Sequence, residues 1–144
     1  MKTDRVTQTD INKALITELL SISDSQQIEI QRFYHPEFIE HNTNSAVNVH
    51  GGREGVQQAF QIFGEAFPER SHILDDIIAE NDKVVARITF RGRFQKNAGK
   101  READGKDYEA SAIAIYRFKD GKIIEKWTNF SVLEFLKLDK KDLI

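Results

Sequence analysis

Apolar positions along this chain follow a helical period in its first half and a period of two in its second. Between residues 10 and 22, Ile11, Ala14, Leu15, Leu19 and Ile22 recur on one helical face, with Thr9 or Asp10 available as N-cap. Ser23 and Gln26 have capping-box spacing for a second, short helix that carries Ile30, Phe33 and Tyr34 and is ended by Pro36. Glu37 to Asn42 reads as a short extended segment closed by His41, and the polar run from Asn42 to Gly52 reads as a loop. A third helix is expected from Gly52 to Phe67, where Val56, Ala59, Phe60, Phe63 and Phe67 form an aromatic stripe that Pro68 stops.

From Ser71 onward side chains alternate. HILDDIIAE and KVVARITFRGRF flank Asn81-Asp82 and predict a long hairpin. A two-residue turn puts Ile73, Asp75, Ile77 and Ala79 on one face with Val84, Ala86, Ile88 and Phe90, and sets Asp76 opposite Arg87 and His72 opposite Arg91. Gln95 to Lys106 is polar and aperiodic, a linker. A second hairpin spans Tyr108 to Leu133 around Asp120-Gly121, a pair suited to a type I′ turn because both central residues need positive φ. Counting outward pairs Phe118 with Ile123, Tyr116 with Glu125, Ala114 with Trp127, Ala112 with Asn129 and Ala110 with Ser131, all on one face. Alanines facing an indole, an amide and a hydroxyl describe a concave wall with a few polar groups, as in a small-molecule pocket. The tail from Glu134 to Ile144 is charged, with Phe135, Leu136 and Leu138 able to dock as a closing turn of helix.

Helices followed by hairpins argue α+β, N-terminal helices packed on a curved antiparallel sheet, in a single domain covering residues 1–144. Ile113, Ile115, Ile124, Thr128 and Phe130 fall on the opposite face of the last hairpin. A homodimer through that outer sheet face would cover them.

Composition removes several classes. With no cysteine in 144 residues there is neither a disulfide nor a thiolate site, and four scattered histidines offer no metal-ligand spacing, so no cofactor is expected. A net charge of −2 leaves no electrostatic footprint for nucleic acid. The polar N-terminus and the lack of a long apolar run predict neither a signal peptide nor a membrane span, and the default expectation is a cytoplasmic protein.

FYHPEFIEHN at 33–42, GGREGV at 51–56, AFPE at 66–69, AENDKVVARITFRG at 79–92 and YRFKDGKIIEKW at 116–127 come in an order and spacing that resemble the SnoaL-like polyketide cyclases of the nuclear-transport-factor-2-like superfamily. The resemblance runs from the first helix to about Leu138. It implies a cone-shaped fold with a pocket between helices and sheet, usually a homodimer, and a cofactor-independent intramolecular aldol ring closure. It further implies an acid/base aspartate shortly after the family tryptophan, and alignment on Trp127 puts Ser131 there. The glycine-threonine-histidine of many relatives stands here as Gly92, Arg93 and Phe94.

Aldol chemistry needs a base for an activated α-proton and polar groups to hold the enolate. His41, which matches the family histidine, and Asp75, on an apolar face in the expected register, are the candidate catalytic groups. Tyr34, Phe60, Phe63, Phe90, Ala112, Tyr116, Trp127, Asn129 and Ser131 are the candidate substrate-binding residues. His50 and His72 look like loop and outer-face residues, and Glu125 a rim group. Three functions follow as expectations. The first is a cyclase or isomerase acting on a small apolar carbonyl or polyketide-like compound. The second is a non-catalytic module that binds a small hydrophobic molecule or works through its dimer face. The third is a hydrolase or dehydratase using a His41–Asp75 pair.

Overall fold

The computed structural model describes residues 5–24, 28–42 and 52–130. Its elements are α1 (Gln8–Ser23), α2 (Ile30–Phe33), β1 (Tyr34–Asn42), α3 (Arg53–Ala66), β2 (Arg70–Glu80), β3 (Lys83–Arg93), β4 (Asp107–Lys119) and β5 (Lys122–Thr128). The helices-then-hairpins order expected from the sequence is present. Ser131, His50 and the tail lie outside the described residues, as does the expected cap at Gln26.

α1 starts one turn earlier than its apolar pattern suggests. Thr7 is the N-cap, its side chain accepting from the Asp10 amide while the Asp10 carboxylate accepts from the Thr7 amide. Two of the orphan amides of the first turn are thereby satisfied. The helix buries Ile16, Leu19 and Leu20, and Ile11 stays exposed.

The five strands form one sheet in the order β1-β5-β4-β3-β2. Three neighbouring pairs are antiparallel, but β1 runs parallel to β5, so the sheet is mixed. β1 also begins at Tyr34, within what the pattern assigns to the second helix, because Pro36 pushes its neighbour into extended backbone. Asp120 and Gly121 both have positive φ, 53° and 76°, the turn their sequence predicts.

Each hairpin keeps its expected register beside the turn and loses it at a bulge. In β5, Phe118 faces Ile123 and Arg117 faces Glu125, so Ile124 is the extra residue. Ile123 and Ile124 are both buried, which strict alternation forbids and a bulge permits. Beyond it, Tyr116 faces Lys126 rather than Glu125, Ala114 faces Thr128, and Trp127 pairs with Ile115 on the outer face. In β2, Ile77 faces Ala86 and Asp76 faces Arg87 as expected, but Leu74 faces Ile88, so Asp75 is bulged. The slip moves His72 opposite Phe90, on the inner face, and Ser71 opposite Arg91.

Two clusters fill the interior. One joins α1, α2 and β1 to the inner faces of β3, β4 and β5 around Ile16, Phe33, Phe38, Val84 and Ile123. The other gathers Phe63, Phe67, Phe90 and Phe94 at the end of α3, with Phe130 packed against it rather than on the outer face. The segment from Gln95 to Lys106, expected to be a free linker, is fastened here. The Gln95 amide donates to the Ala66 carbonyl at 3.0 Å, and Phe94 exchanges backbone bonds with Lys106 and Gly105.

Gly92 sits where these aromatics meet. A Cβ there would stand 2.9 Å from both Phe67 Cδ1 and Phe90 Cζ. Gly→Ala at a compatible strand site stabilises, but here Gly92→Ala overpacks the core and should cost about 1–3 kcal/mol. Urea unfolding checks this, and a variant as stable as the parent would contradict the described packing.

Candidate active site

Correction of the β2 register turns one histidine inward. His72 lies between the C-terminal end of α1 and the ring of Phe90, whose centroid is 5.2 Å from that of the imidazole. Its Nδ1 is 2.6 Å from Asp24 Oδ1 and 3.2 Å from Ser23 Oγ. A carboxylate only accepts, so Nδ1 carries the proton. Ser23 fits that assignment, since its hydroxyl donates to the Leu20 carbonyl at 2.7 Å and leaves a lone pair toward the ring. The other ring nitrogen, Nε2, has no hydrogen-bond partner among the described residues.

Burial pushes the His72 imidazole below its ordinary value of 6.5. Asp24 opposes this, while the positive charges of Arg70 and Lys126 reinforce it. The ring is therefore neutral at physiological pH, with its proton on the Asp24 side and, among the described residues, a lone pair without a donor on the other. That lone pair belongs to a side chain lining a cavity of about 240 Å³. Ile28, Ile30, Phe60 and Phe63 supply its apolar wall, and Gln57, Gln61, Glu65, Ser23 and Arg70 its polar groups.

A second polar group occupies the inner face on β1, β4 and β5. The Lys126 ammonium lies 3.6 Å from Glu40 and 5.6 Å from the centroid of the Tyr116 ring. Burial depresses the amine, but Tyr116 and Glu40 outweigh it and the net shift is upward, so Lys126 stays protonated. Burial also raises the hydroxyls of Tyr34 and Tyr116, and both remain neutral. Lys126 is not among the residues that line the cavity with His72.

The expected site residues divide between the faces. Phe60 and Phe63 line the cavity, and Phe90 backs His72. Tyr34 and Tyr116 are buried inward, and Ala112 is inward and half-buried. His41, by contrast, pairs with Trp127 on the outer face, the rings stacked at 5.0 Å and 14°. Its Nε2 is 2.8 Å from Glu125, whose other oxygen accepts from Arg117 Nε at 2.6 Å. Arg117, then His41, hold the Glu125 carboxyl below its usual range. Asp75 is exposed on the outer face, accepting from Thr89 Oγ1 at 2.5 Å, with Arg87 at 3.9 Å. Asn129 Oδ1 accepts from the Ile113 amide at 2.9 Å. His41 and Asp75 are thus separate from each other and from the cavity. His72 and Asp24 are the pair the sequence reading missed. The available signal was the spacing of Leu74 and Ile77, two inward positions that only a bulge reconciles.

Among the described residues no group of three or more His, Cys, Asp or Glu is arranged to hold a metal, and no helix is long and apolar enough to cross a membrane.

An α+β cone with helices over one face of a curled mixed sheet is the nuclear-transport-factor-2-like fold. The chain belongs to the SnoaL-like polyketide cyclase family, whose pattern it matches over residues 14–137. Its fold is shared by TsrD from Streptomyces laurentii, 26% identical, with a TM-score of 0.71 over 94% of this chain and 98% of that one. It is shared too by IdmH from Streptomyces antibioticus, described as a candidate polyketide cyclase, at 23% identity and a TM-score of 0.71 over 87% and 94%. A candidate polyketide cyclase from Bacillus cereus ATCC 10987 is 25% identical, with a TM-score of 0.69 over 90% and 83%. No curated protein matches the sequence significantly.

The outward placement of Trp127 has an optical consequence, since it is the only tryptophan. His41→Ala removes the stacked ring and should change its emission, whereas Tyr116→Phe, on the other face, should leave emission unaltered. The opposite pattern would show that β5 lacks the bulge.

Proposed function

We propose that this protein is a cofactor-independent acid–base enzyme that closes or isomerises a compact carbonyl compound of polyketide type, with His72 as its base. The observation that carries this reading is the 2.6 Å contact of Nδ1 with Asp24, made by a cavity-lining ring whose Nε2 has no partner among the described residues. Family membership supports the reaction class. Nε2 takes a proton from the carbon between two carbonyls, and the electron pair of that C–H bond moves into an enolate. The enolate carbon then attacks a second carbonyl carbon in the same molecule, forming the ring C–C bond. His72 returns its proton to the resulting alkoxide, so no redox partner is required. Asp24 holds the imidazole in the required tautomer and steadies the transient imidazolium. The catalytic role first expected of a His41–Asp75 pair passes to His72 and Asp24.

The same pair would equally serve a dehydration, removing the α-proton and expelling a β-hydroxyl, and product analysis separates the two. With short poly-β-ketone thioesters as probes, His72→Ala should abolish turnover. Asp24→Asn should lower kcat by about 10²–10⁴-fold, with a smaller effect on KM. His41→Ala should leave turnover unchanged. The base works only when neutral, so kcat/KM should rise with pH through one ionisation whose midpoint lies below 6.5, then level off. Binding of the probes without turnover, unaffected by either substitution, would favour a non-catalytic ligand-binding module.

We also propose a homodimer through the outer sheet face. Supporting it are Ile39, Ile78 and Ile113, 51%, 62% and 51% exposed there. Sedimentation at micromolar concentration should give twice the 16.6 kDa of one chain, and a monomer would remove the argument.

A further inference from the structure

Arg70 stands two residues before His72 on the same inward row of β2 and lines the same cavity. Its position beside a base would suggest that it binds substrate, yet three of its five N–H donors are committed to backbone. Nε donates to the Ser23 carbonyl at 2.7 Å, and Nη1 donates to the carbonyls of Gly64 at 3.2 Å and Phe67 at 3.0 Å. Ser23 closes α1 and is followed directly by Asp24. The Gly64 and Phe67 carbonyls belong to the C-terminal end of α3, where a helix dipole favours a cation. One guanidinium therefore ties two helix ends to the strand that carries His72. Lysine, a point charge, could not span these three carbonyls.

The neighbourhood is fitted to this side chain. A Cβ on Gly64 would stand 3.3 Å from Arg70 Nη2, so the bare backbone at that point of α3 makes the room the guanidinium fills. Charged groups around His72 are few. Asp24 reaches it from the end of α1, Arg70 from its own strand and Lys126 from β5, while Glu65 of α3 lines the same cavity and β3 presents the apolar Phe90 ring. The Asp24 contact, with the Ser23 hydroxyl oxygen beside it, selects which ring nitrogen is protonated.

We infer that Arg70 is the positioning residue of the Asp24–His72 pair: by clamping the Ser23 carbonyl to the end of α3 it fixes where Asp24 meets Nδ1, and so keeps Nε2 open to the cavity. The inference deepens the proposed function and rests on His72 as its base. It predicts that the tautomer of His72 depends on a residue that never touches the ring.

Long-range proton–nitrogen correlation spectra of ¹⁵N-histidine-labelled protein, at about pH 8 where the ring is neutral, read that tautomer without any substrate. The wild type should show His72 as Nδ1–H alone, and amide spectra of the same samples report folding. Arg70→Gln should give a mixture with the Nε2–H form that free imidazole prefers, and Arg70→Lys should resemble Arg70→Gln, since charge without the three-way clamp does not place Asp24. Gly64→Leu keeps Arg70 but occupies the place of its guanidinium, so it should show the same mixture and stands in if Arg70→Gln does not fold. Retention of pure Nδ1–H in folded Arg70→Gln or Gly64→Leu would overturn the positioning role, as would full rescue by Arg70→Lys. A wild type showing Nε2–H would instead refute His72 as the base, so the two failures are distinct.

Discussion

A neutral imidazole buried against a carboxylate must direct its proton toward that carboxylate, and the interior chemistry of this protein depends on that constraint. His72 is brought inside by β2 and Asp24 by the end of α1, two elements 48 residues apart in sequence and 2.6 Å apart in space. Because Asp24 only accepts, the other ring nitrogen keeps its lone pair, which no described residue uses. Burial then lowers the affinity of the ring for a second proton. The helices over the sheet bury apolar surface and also deliver one half of the Asp24–His72 pair.

The two β-bulges decide which side chains share that interior. At Ile124 the need to bury two consecutive isoleucines turns Lys126 and Thr128 inward and Trp127 outward. At Asp75 the same device turns an acid out to Thr89 and Arg87 and brings Arg70 and His72 in. Each bulge is a single residue, yet each exchanges the faces of every residue beyond it. The result is an inner face with one neutral imidazole and one protonated amine, and an outer face with its own His41–Trp127–Glu125–Arg117 chain.

Much of the fold was legible because its signals are local. The stripe of Val56, Phe60 and Phe63 marks α3, Asp120-Gly121 marks a tight turn, and the order of elements with the five short motifs points to the family. The alanine floor of β4 was also legible, since β4 pairs with β3 without interruption. What escaped is non-local. A parallel β1 has no turn to announce it, and its place beside β5 follows from packing against Ile123 and Trp127. The bulges do leave traces, Ile123-Ile124 in one strand and the Leu74 to Ile77 spacing in the other, but strict alternation reads through them. The Asp24–His72 pair inherited that error, because a one-residue slip labels His72 an outer residue and removes it from consideration.

A crystal structure with a small β-diketone bound tests the central claim most directly. The account predicts the diketone in the cavity among Phe60, Phe63 and His72, with its acidic carbon or enol oxygen within about 3.5 Å of His72 Nε2 and Asp24 still on Nδ1. A diketone seated on the outer face against His41 and Trp127, or in the cavity with Nε2 turned away from it, would contradict the account.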